Sequence, residues 1–288
     1  MKITELINQK KPILSFEVFP PKTEDRYNSV EKATKEIAAL NPDFMSVTYG
    51  AGGGTSHYTL DIADSLKKEY GTTTLTHFTC VSSTKDQVRE MLGRMKELNI
   101  ENVLALRGDK PKDSSIVLPG DYNYASELVK EIKSFGDFCV GGACYPEGHV
   151  EADTLDKDII YLKEKVNAGC DFLTTQMFFD NNILYNYLYK IREKGITVPV
   201  FAGIMPVTNK NQIKRICQLS GTYLPARFKA IVDRFGDNSD AMMQAGIAYA
   251  TEQIIDLIAN GVNYIHVYSM NKAEIASKIK KNLSSIID

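Results

Sequence analysis

A closed (β/α)8 barrel, the TIM-barrel class of α/β fold, is what the sequence predicts, and three observations predict it. Eight short runs rich in β-branched and aromatic residues recur along the chain, each followed by a stretch of helical periodicity, which is the sequence form of a parallel sheet. No Pro-, Gly- or Ser-rich linker and no low-complexity segment divides the 288 residues, so 1–288 read as a single domain of about the length one barrel needs. The Gly-x-Gly-x-x-Gly turn of a dinucleotide-binding open sheet is missing after the first strand, which ends in Glu17-Val18-Phe19-Pro20-Pro21.

Met1–Pro12 alternates polar and apolar residues and carries three lysines, with no apolar core of signal-peptide length. The first strand is Ile13–Pro20 and the amphipathic segment Ser29–Leu40 follows it. Phe44–Gly50 is the second strand, and Thr73–Cys80 the third, with a helix over Lys85–Leu98. Asn102–Asp109 and Phe138–Pro146 are the fourth and fifth, with a helix over Leu155–Ala168. Phe172–Phe179 precedes the helix Asn182–Glu193, and several of these helices close on the Gly, Asn or Pro expected at a helix end. Val198–Pro206 is the seventh strand and Tyr264–Met270 the eighth; the longer interval between them holds two helices, near Leu224–Phe235 and Asp240–Asn260.

The composition narrows the class of function. With 34 Lys and Arg against 36 Asp and Glu, the net charge of −2 gives no field to attract phosphate backbones or anionic lipid, so nucleic acid and membrane are not expected partners. Apolar runs stop far short of a membrane span, and the chain reads as cytoplasmic. The five cysteines, at 80, 139, 144, 170 and 217, are odd in number and form no Cys-x-x-Cys pair, so they read as reduced, small apolar residues. The four histidines show no metal-ligand spacing with carboxylates, and no metal is expected.

Strands buried on both faces should be nearly continuous apolar runs, so polar residues in them need a reason. Here they gather at the C-terminal ends: Glu17, Thr48 and Tyr49, His77, Arg107 and Asp109, Tyr145 and Glu147, Gln176, and Tyr268 with Asn271. In a barrel that end carries the active site. Thr48, Tyr145 and Tyr268 also read as strand residues with satisfied hydroxyls, and His77 alone reads as a core histidine. Glu17 stands between Phe16 and Val18, where an unpaired carboxylate costs several kcal/mol. A structural salt bridge and a catalytic acid both account for it. Arg107 and Asp109 flank Gly108 and point to one side, and Gly108 lets a ligand approach the backbone. Gly50-Ala51-Gly52-Gly53-Gly54-Thr55 has amides to cradle an anion but lacks the Lys-Ser/Thr ending of a P-loop, and a flexible active-site loop accounts for it equally well. The loops after strands seven and eight lack phosphate-site glycines, which disfavours sugar-phosphate chemistry.

Taken together, Ser15-Phe16-Glu17-Val18-Phe19-Pro20-Pro21, Ser46-Val47-Thr48-Tyr49-Gly50-Ala51, His77-Phe78-Thr79-Cys80 and Ala105-Leu106-Arg107-Gly108-Asp109 resemble the bacterial methylenetetrahydrofolate reductase family. The resemblance continues, in order, through Tyr145-Pro146-Glu147-Gly148-His149, Thr175-Gln176-Met177-Phe178-Phe179-Asp180, Gly203-Ile204-Met205-Pro206-Val207 and Asn271-Lys272-Ala273-Glu274. It implies a (β/α)8 barrel that holds FAD, takes hydride from NADH or NADPH, and passes it to 5,10-methylenetetrahydrofolate in ping-pong fashion. It implies FAD contacts at Thr48, Tyr49, Ala51, His77, Arg107, Gly108, Asp109, Ala125, Tyr145, His149, Asp158 and Lys165, with Arg107 and Lys165 supplying charge to the pyrophosphate.

By the same resemblance Glu17 is the general acid that protonates N10 as the methylene bridge opens, its apolar setting favouring the neutral carboxyl. Asp109 holds the pterin and disfavours an anionic reduced flavin. Gln176, Gln212 and Lys272 contact folate, and Gln176 also lies where nicotinamide stacks. The chain departs from the enterobacterial pattern at Ile216, where an aromatic is usual, at Lys272, where Arg is usual, and at Tyr161 and Glu164 on an FAD-contacting helix. Self-association is implied as well. No regulatory domain is seen, so feedback by adenosylmethionine is not expected. Two competing readings are another flavin or folate barrel, such as a pterin-dependent methyltransferase, and an FAD-holding subunit that receives electrons from a partner protein.

Overall fold

The computed structural model describes residues 1–9, 12–21, 23–49, 56–110 and 117–287, and in it eight parallel strands pair in chain order and close on themselves. They are β1 (Ile13–Val18), β2 (Phe44–Val47), β3 (Thr74–Thr79), β4 (Asn102–Leu106), β5 (Cys139–Cys144), β6 (Phe172–Thr175), β7 (Val200–Ile204) and β8 (Tyr264–Tyr268). The seam is β1 against β8, in register from Ile13↔Tyr264 to Glu17↔Tyr268. Each strand lies inside the run expected from the sequence, and each run overshoots at its C-terminal end. Beyond the last ladder bond the chain turns into the polar βα loops, while its residue types stay strand-like.

The described helices are α1 (Ile3–Gln9), α2 (Tyr27–Ala38), α3 (Ser56–Tyr70), α4 (Lys85–Glu97), α5 (Ala125–Phe135), α6 (Leu155–Asn167), α7 (Asn181–Glu193), α8 (Lys210–Ser220), α9 (Ala226–Phe235), α10 (Ser239–Ala259) and α11 (Ala273–Ile287). Side-chain caps start several of them. Thr84 and Gln87 form a reciprocal capping box on α4, and Thr154, Asp180, Asn209 and Asn238 cap α6, α7, α8 and α10. Asn41 and Asn99 follow α2 and α4 at φ 51° and 53°, a left-handed conformation that asparagine tolerates.

At the N-terminus, Ile3 and Ile7, one helical turn apart, are the buried face of α1, an element the residue pattern did not announce. One expectation needs correction. The interval between β7 and β8 holds three helices, because α8 also forms there although Ile213 is its one fully buried residue.

Two-residue alternation divides each strand between two environments. Leu14, Phe16, Val18, Met45, Val47, Val103 and Val140 join the core shared with the surrounding helices. Ile13, Phe44, Leu75, Leu104, Cys139, Phe172 and Phe201 fill the barrel itself at its N-terminal end, with Ile3 and Ile7 of α1 packed among them. The ring of Phe201 meets Phe44 and Phe172 edge-on at 5.3 and 5.5 Å. Asn102, at the start of β4, ties α1 down. Its Oδ1 accepts from Ile3 N at 2.8 Å, and its Nδ2 donates to the carbonyls of Met1 and Thr74 at 3.1 Å.

Candidate active site

Above the apolar floor the inward positions turn polar. Ser15 and Glu17 are two apart on β1 and so share the inner face. Ser15 pairs in register with His266 of β8, and Glu17 with Ser46 of β2. Ser15 Oγ donates to the Ile265 carbonyl at 3.0 Å and lies 2.8 Å from His266 Nδ1, which makes Nδ1 the donor of that second contact. His266 Nε2 then faces Ser46 Oγ at 3.2 Å and Glu17 Oε2 at 3.8 Å, and the imidazole stacks on Phe44 at 5.8 Å.

Glu17 is nearly enclosed, with 16% of its side chain exposed, and its Oε2 lies 3.5 Å from His77 Nε2. Burial lowers the His77 pKa to about 4, the nearby Glu17 charge opposing this only in part, so the imidazole is neutral at neutral pH. His77 Nε2 is buried without a hydrogen-bond partner. Among the described residues no lysine or arginine nitrogen comes within 4.0 Å of Glu17. Of the two explanations left open for Glu17, a salt bridge to a permanent cation is not made among the described residues.

The mouth of the barrel opens into a cavity of about 630 Å³ lined in part by Tyr49, Arg107, Gly108, Asp109, Tyr145 and His149. Glu17 does not line it. Tyr49 stands edge-on to Phe78 at 5.5 Å, and His149 edge-on to Tyr145 at 4.7 Å. Arg107 and Asp109 face this one cavity, but not through strand alternation, since β4 ends at Leu106 and Gly108 has φ +86°. That left-handed turn requires glycine, and a Cβ there would stand 3.0 Å from Thr79 Cβ. Arg107 is bound on every guanidinium nitrogen: Nη1 and Nη2 donate to Glu151 Oε2 and Oε1 at 2.5 and 2.7 Å, and Nε to the Gly108 carbonyl at 3.2 Å. The hydrogen bonds from Arg107 hold the Glu151 carboxyl down at a pKa of about 2.

The other expected residues are distributed around this centre. Thr48 closes β2, its N–H donating to Val18 O at 3.0 Å. Ala51, with the glycine run 50–55, lies outside the described residues. Ala125 is the first residue of α5. Asp158 is buried, which raises its pKa, and accepts from the His149 backbone N–H. Lys165 Nζ donates to the Ala143 carbonyl, and burial lowers its pKa. Gln176 follows β6, its N–H donating to Cys144 O at 2.7 Å, and Gln212 lies in the first turn of α8. Lys272 Nζ donates to Thr208 Oγ1 at 3.0 Å, joining the loops after β8 and β7. Tyr268 OH reaches across Gly203 to the Thr175 carbonyl at 2.6 Å.

Sequence reasoning passed over Ser15, Ser46, His266 and Glu151. The polar pair Ser15 and Glu17, two apart in an otherwise apolar strand, was a readable sign of a polar inner layer. The Glu151 partnership had no such sign, as its arginine is 44 residues distant.

Comparison with known proteins agrees with this geometry. A family model described as methylenetetrahydrofolate reductase matches residues 2–284. An Arabidopsis thaliana protein named methylenetetrahydrofolate reductase (NADH) 1 is 35% identical over 99% of this chain and 50% of its own length. The chain thus spans about half the length of the plant and yeast relatives it matches. The 5,10-methylenetetrahydrofolate reductase of Escherichia coli is 33% identical over 92% of this chain and 88% of its own. A Clostridium thermocellum protein, described as binding two copies of 5-methyl-5,6,7,8-tetrahydrofolic acid, shares the fold with a TM-score of 0.69 at 16% identity, each chain covered to 99%. The chain belongs to the methylenetetrahydrofolate reductase family.

Proposed function

We propose that this protein, acting as a single catalytic barrel domain, reduces 5,10-methylenetetrahydrofolate to 5-methyltetrahydrofolate, with FAD as hydride carrier and NADH or NADPH as hydride source. The observation that carries this reading is Glu17, a nearly enclosed carboxyl with a neutral imidazole beside it and, among the described residues, no lysine or arginine to pair with. A structural ion pair needs a cation; a proton donor does not.

The residues at the mouth suit a flavin nucleotide. The cavity has the size of a cofactor site, one wall is the Gly108 turn, and His77 Nε2 is a buried polar atom still lacking a partner. Thr48, Tyr49, His77, Arg107, Gly108, Asp109, Ala125, Tyr145, His149 and Asp158 would hold it. Bound there, FAD would supply two-electron hydride exchange between the nicotinamide and the folate.

The chain's own groups do the rest. Glu17 holds the proton that N10 receives as the methylene bridge opens to an iminium, the electrophile that accepts hydride. His77 brings no positive charge to that carboxyl. Asp109, exposed at the lip, hydrogen-bonds the pterin. Gln176 and Gln212 offer amides to the folate, and Lys272, released from Thr208, meets the glutamate carboxylate as a point charge. Nicotinamide and folate use one mouth in turn, hence ping-pong kinetics. The names of the plant relatives make NADH the first donor to try.

An anaerobic visible spectrum of the purified protein tests the reading. A flavin band bleached by NADH or NADPH and restored by methylenetetrahydrofolate is the expected result. A band that folate cannot restore removes the reductase assignment, and one that neither nicotinamide can bleach assigns electron supply to a partner protein.

A further inference from the structure

The Arg107 side chain is engaged on all three nitrogens, and the partner on two of them is a carboxylate that no role in catalysis requires. A carboxylate in a bidentate fork occupies the same donor edge that a phosphate would take. The loop that carries it is braced at several points. Glu147 Oε2 accepts from Tyr223 N at 2.8 Å, the Glu151 backbone N–H donates to His149 Nδ1 at 3.1 Å, and Ala152 N–H donates to the His149 carbonyl at 2.9 Å. The backbone at Glu151 is therefore fixed over Arg107. The two side chains differ in freedom: that of Arg107 is 19% exposed, that of Glu151 53%. The cation is held in the wall of the cavity, while the anion has water on its other side and can swing out.

We propose that Glu151 is a resident counter-ion on Arg107, and that a diphosphate entering the cavity takes its place, so that cofactor binding is an anion exchange on one guanidinium. This rests on the FAD reading above. With the fork closed the guanidinium charge is neutralised, and Asp109 and Asp158 leave the surroundings unfavourable to a further anion. Lys165, expected to share the pyrophosphate, is turned to the Ala143 carbonyl, so Arg107 carries more of that task. The exposed Lys110, which lowers the Glu151 pKa together with Arg107, gives the displaced carboxylate an alternative partner. When empty, the site keeps its arginine in place and its charge covered.

The test titrates the flavin-free protein with FAD, read by quenching of flavin fluorescence, and with inorganic pyrophosphate, read by calorimetry, in the wild type and in Glu151→Gln. Removing the competitor should tighten both ligands roughly fivefold, since a part-exposed ion pair is worth up to about that factor. Glu151→Asp, too short to close both bonds, should fall between the two. Equal or weaker binding of both ligands by Glu151→Gln overturns the exchange, weaker binding meaning that Glu151 orients Arg107 for its ligand. If the wild type binds no FAD while pyrophosphate still binds more tightly to the variant, the exchange stands and the cofactor reading falls.

Discussion

Replacing Glu17 with Gln removes the carboxyl proposed as proton donor and leaves shape almost unchanged. The size of the effect on folding follows from the surroundings: 16% of the side chain is exposed, and the groups facing it are the imidazoles of His77 and His266. Breaking a buried ion pair from one side costs about 3–5 kcal/mol. With no lysine or arginine among the described residues left behind, the cost should be about 1 kcal/mol or less, a fall in Tm of roughly 2–4 °C for a protein of this size. The kinetic effect is separate and larger. General acid catalysis is worth about 10²–10⁴ in rate, or roughly 3–5 kcal/mol of barrier. Anaerobic stopped-flow absorbance resolves the half-reactions: reduction of the flavin by nicotinamide should stay within about threefold of wild type, and reoxidation by methylenetetrahydrofolate should slow by about 10²–10⁴. Reoxidation at the wild-type rate refutes the acid role. A stability loss of several kcal/mol with both half-reactions intact shows instead a structural carboxylate.

Three more outcomes are expected. Asp109→Asn should raise the flavin potential and slow folate reduction more than flavin reduction, and a potential equal to wild type by dye equilibration removes the electrostatic argument. His77 is held neutral, with its pKa lowered from 6.5 to about 4, so below pH 6.5 the unfolded chain binds a proton that the folded one refuses. Stability from this site is thus fully present above pH 6.5 and falls by about 3 kcal/mol as pH approaches 4; His77→Asn should flatten the urea-denaturation profile across that window. Asn102→Ala frees the amide of Ile3 and the carbonyls of Met1 and Thr74, and should cost about 2–3 kcal/mol by the same denaturation measurement, with no change in the visible spectrum of bound flavin.

The strands were legible because a parallel sheet covered on both faces demands apolar runs, and Ile13, Phe44, Asn102, Phe172 and Tyr264 begin both the expected and the observed strands. Helix α1 was not, since seven residues with two buried isoleucines give too little periodicity to separate a helix from an alternating segment. Helix α8 was hidden for a similar reason: Lys210-Asn211-Gln212 opens it, and one residue is fully buried. At the site, individual residue types at strand ends were readable, but their mutual contacts were not. Arg107 pointed to an anion, and only the fold shows which anion of the chain itself meets it. Lys165 matches by position, yet a lysine's long stem lets its charge turn inward to a backbone carbonyl, and sequence position alone does not fix that direction.

The aromatic floor laid by Phe44, Phe172 and Phe201, with α1 fastened beneath it by Asn102, fills the N-terminal end of the barrel among the described residues. In the proposed reaction, reactants and product would then share the doorway at the C-terminal end. An occupant that lingered there would block its successor, and turnover would become a matter of traffic: the residence time of each spent molecule at the rim would set how soon the next could enter.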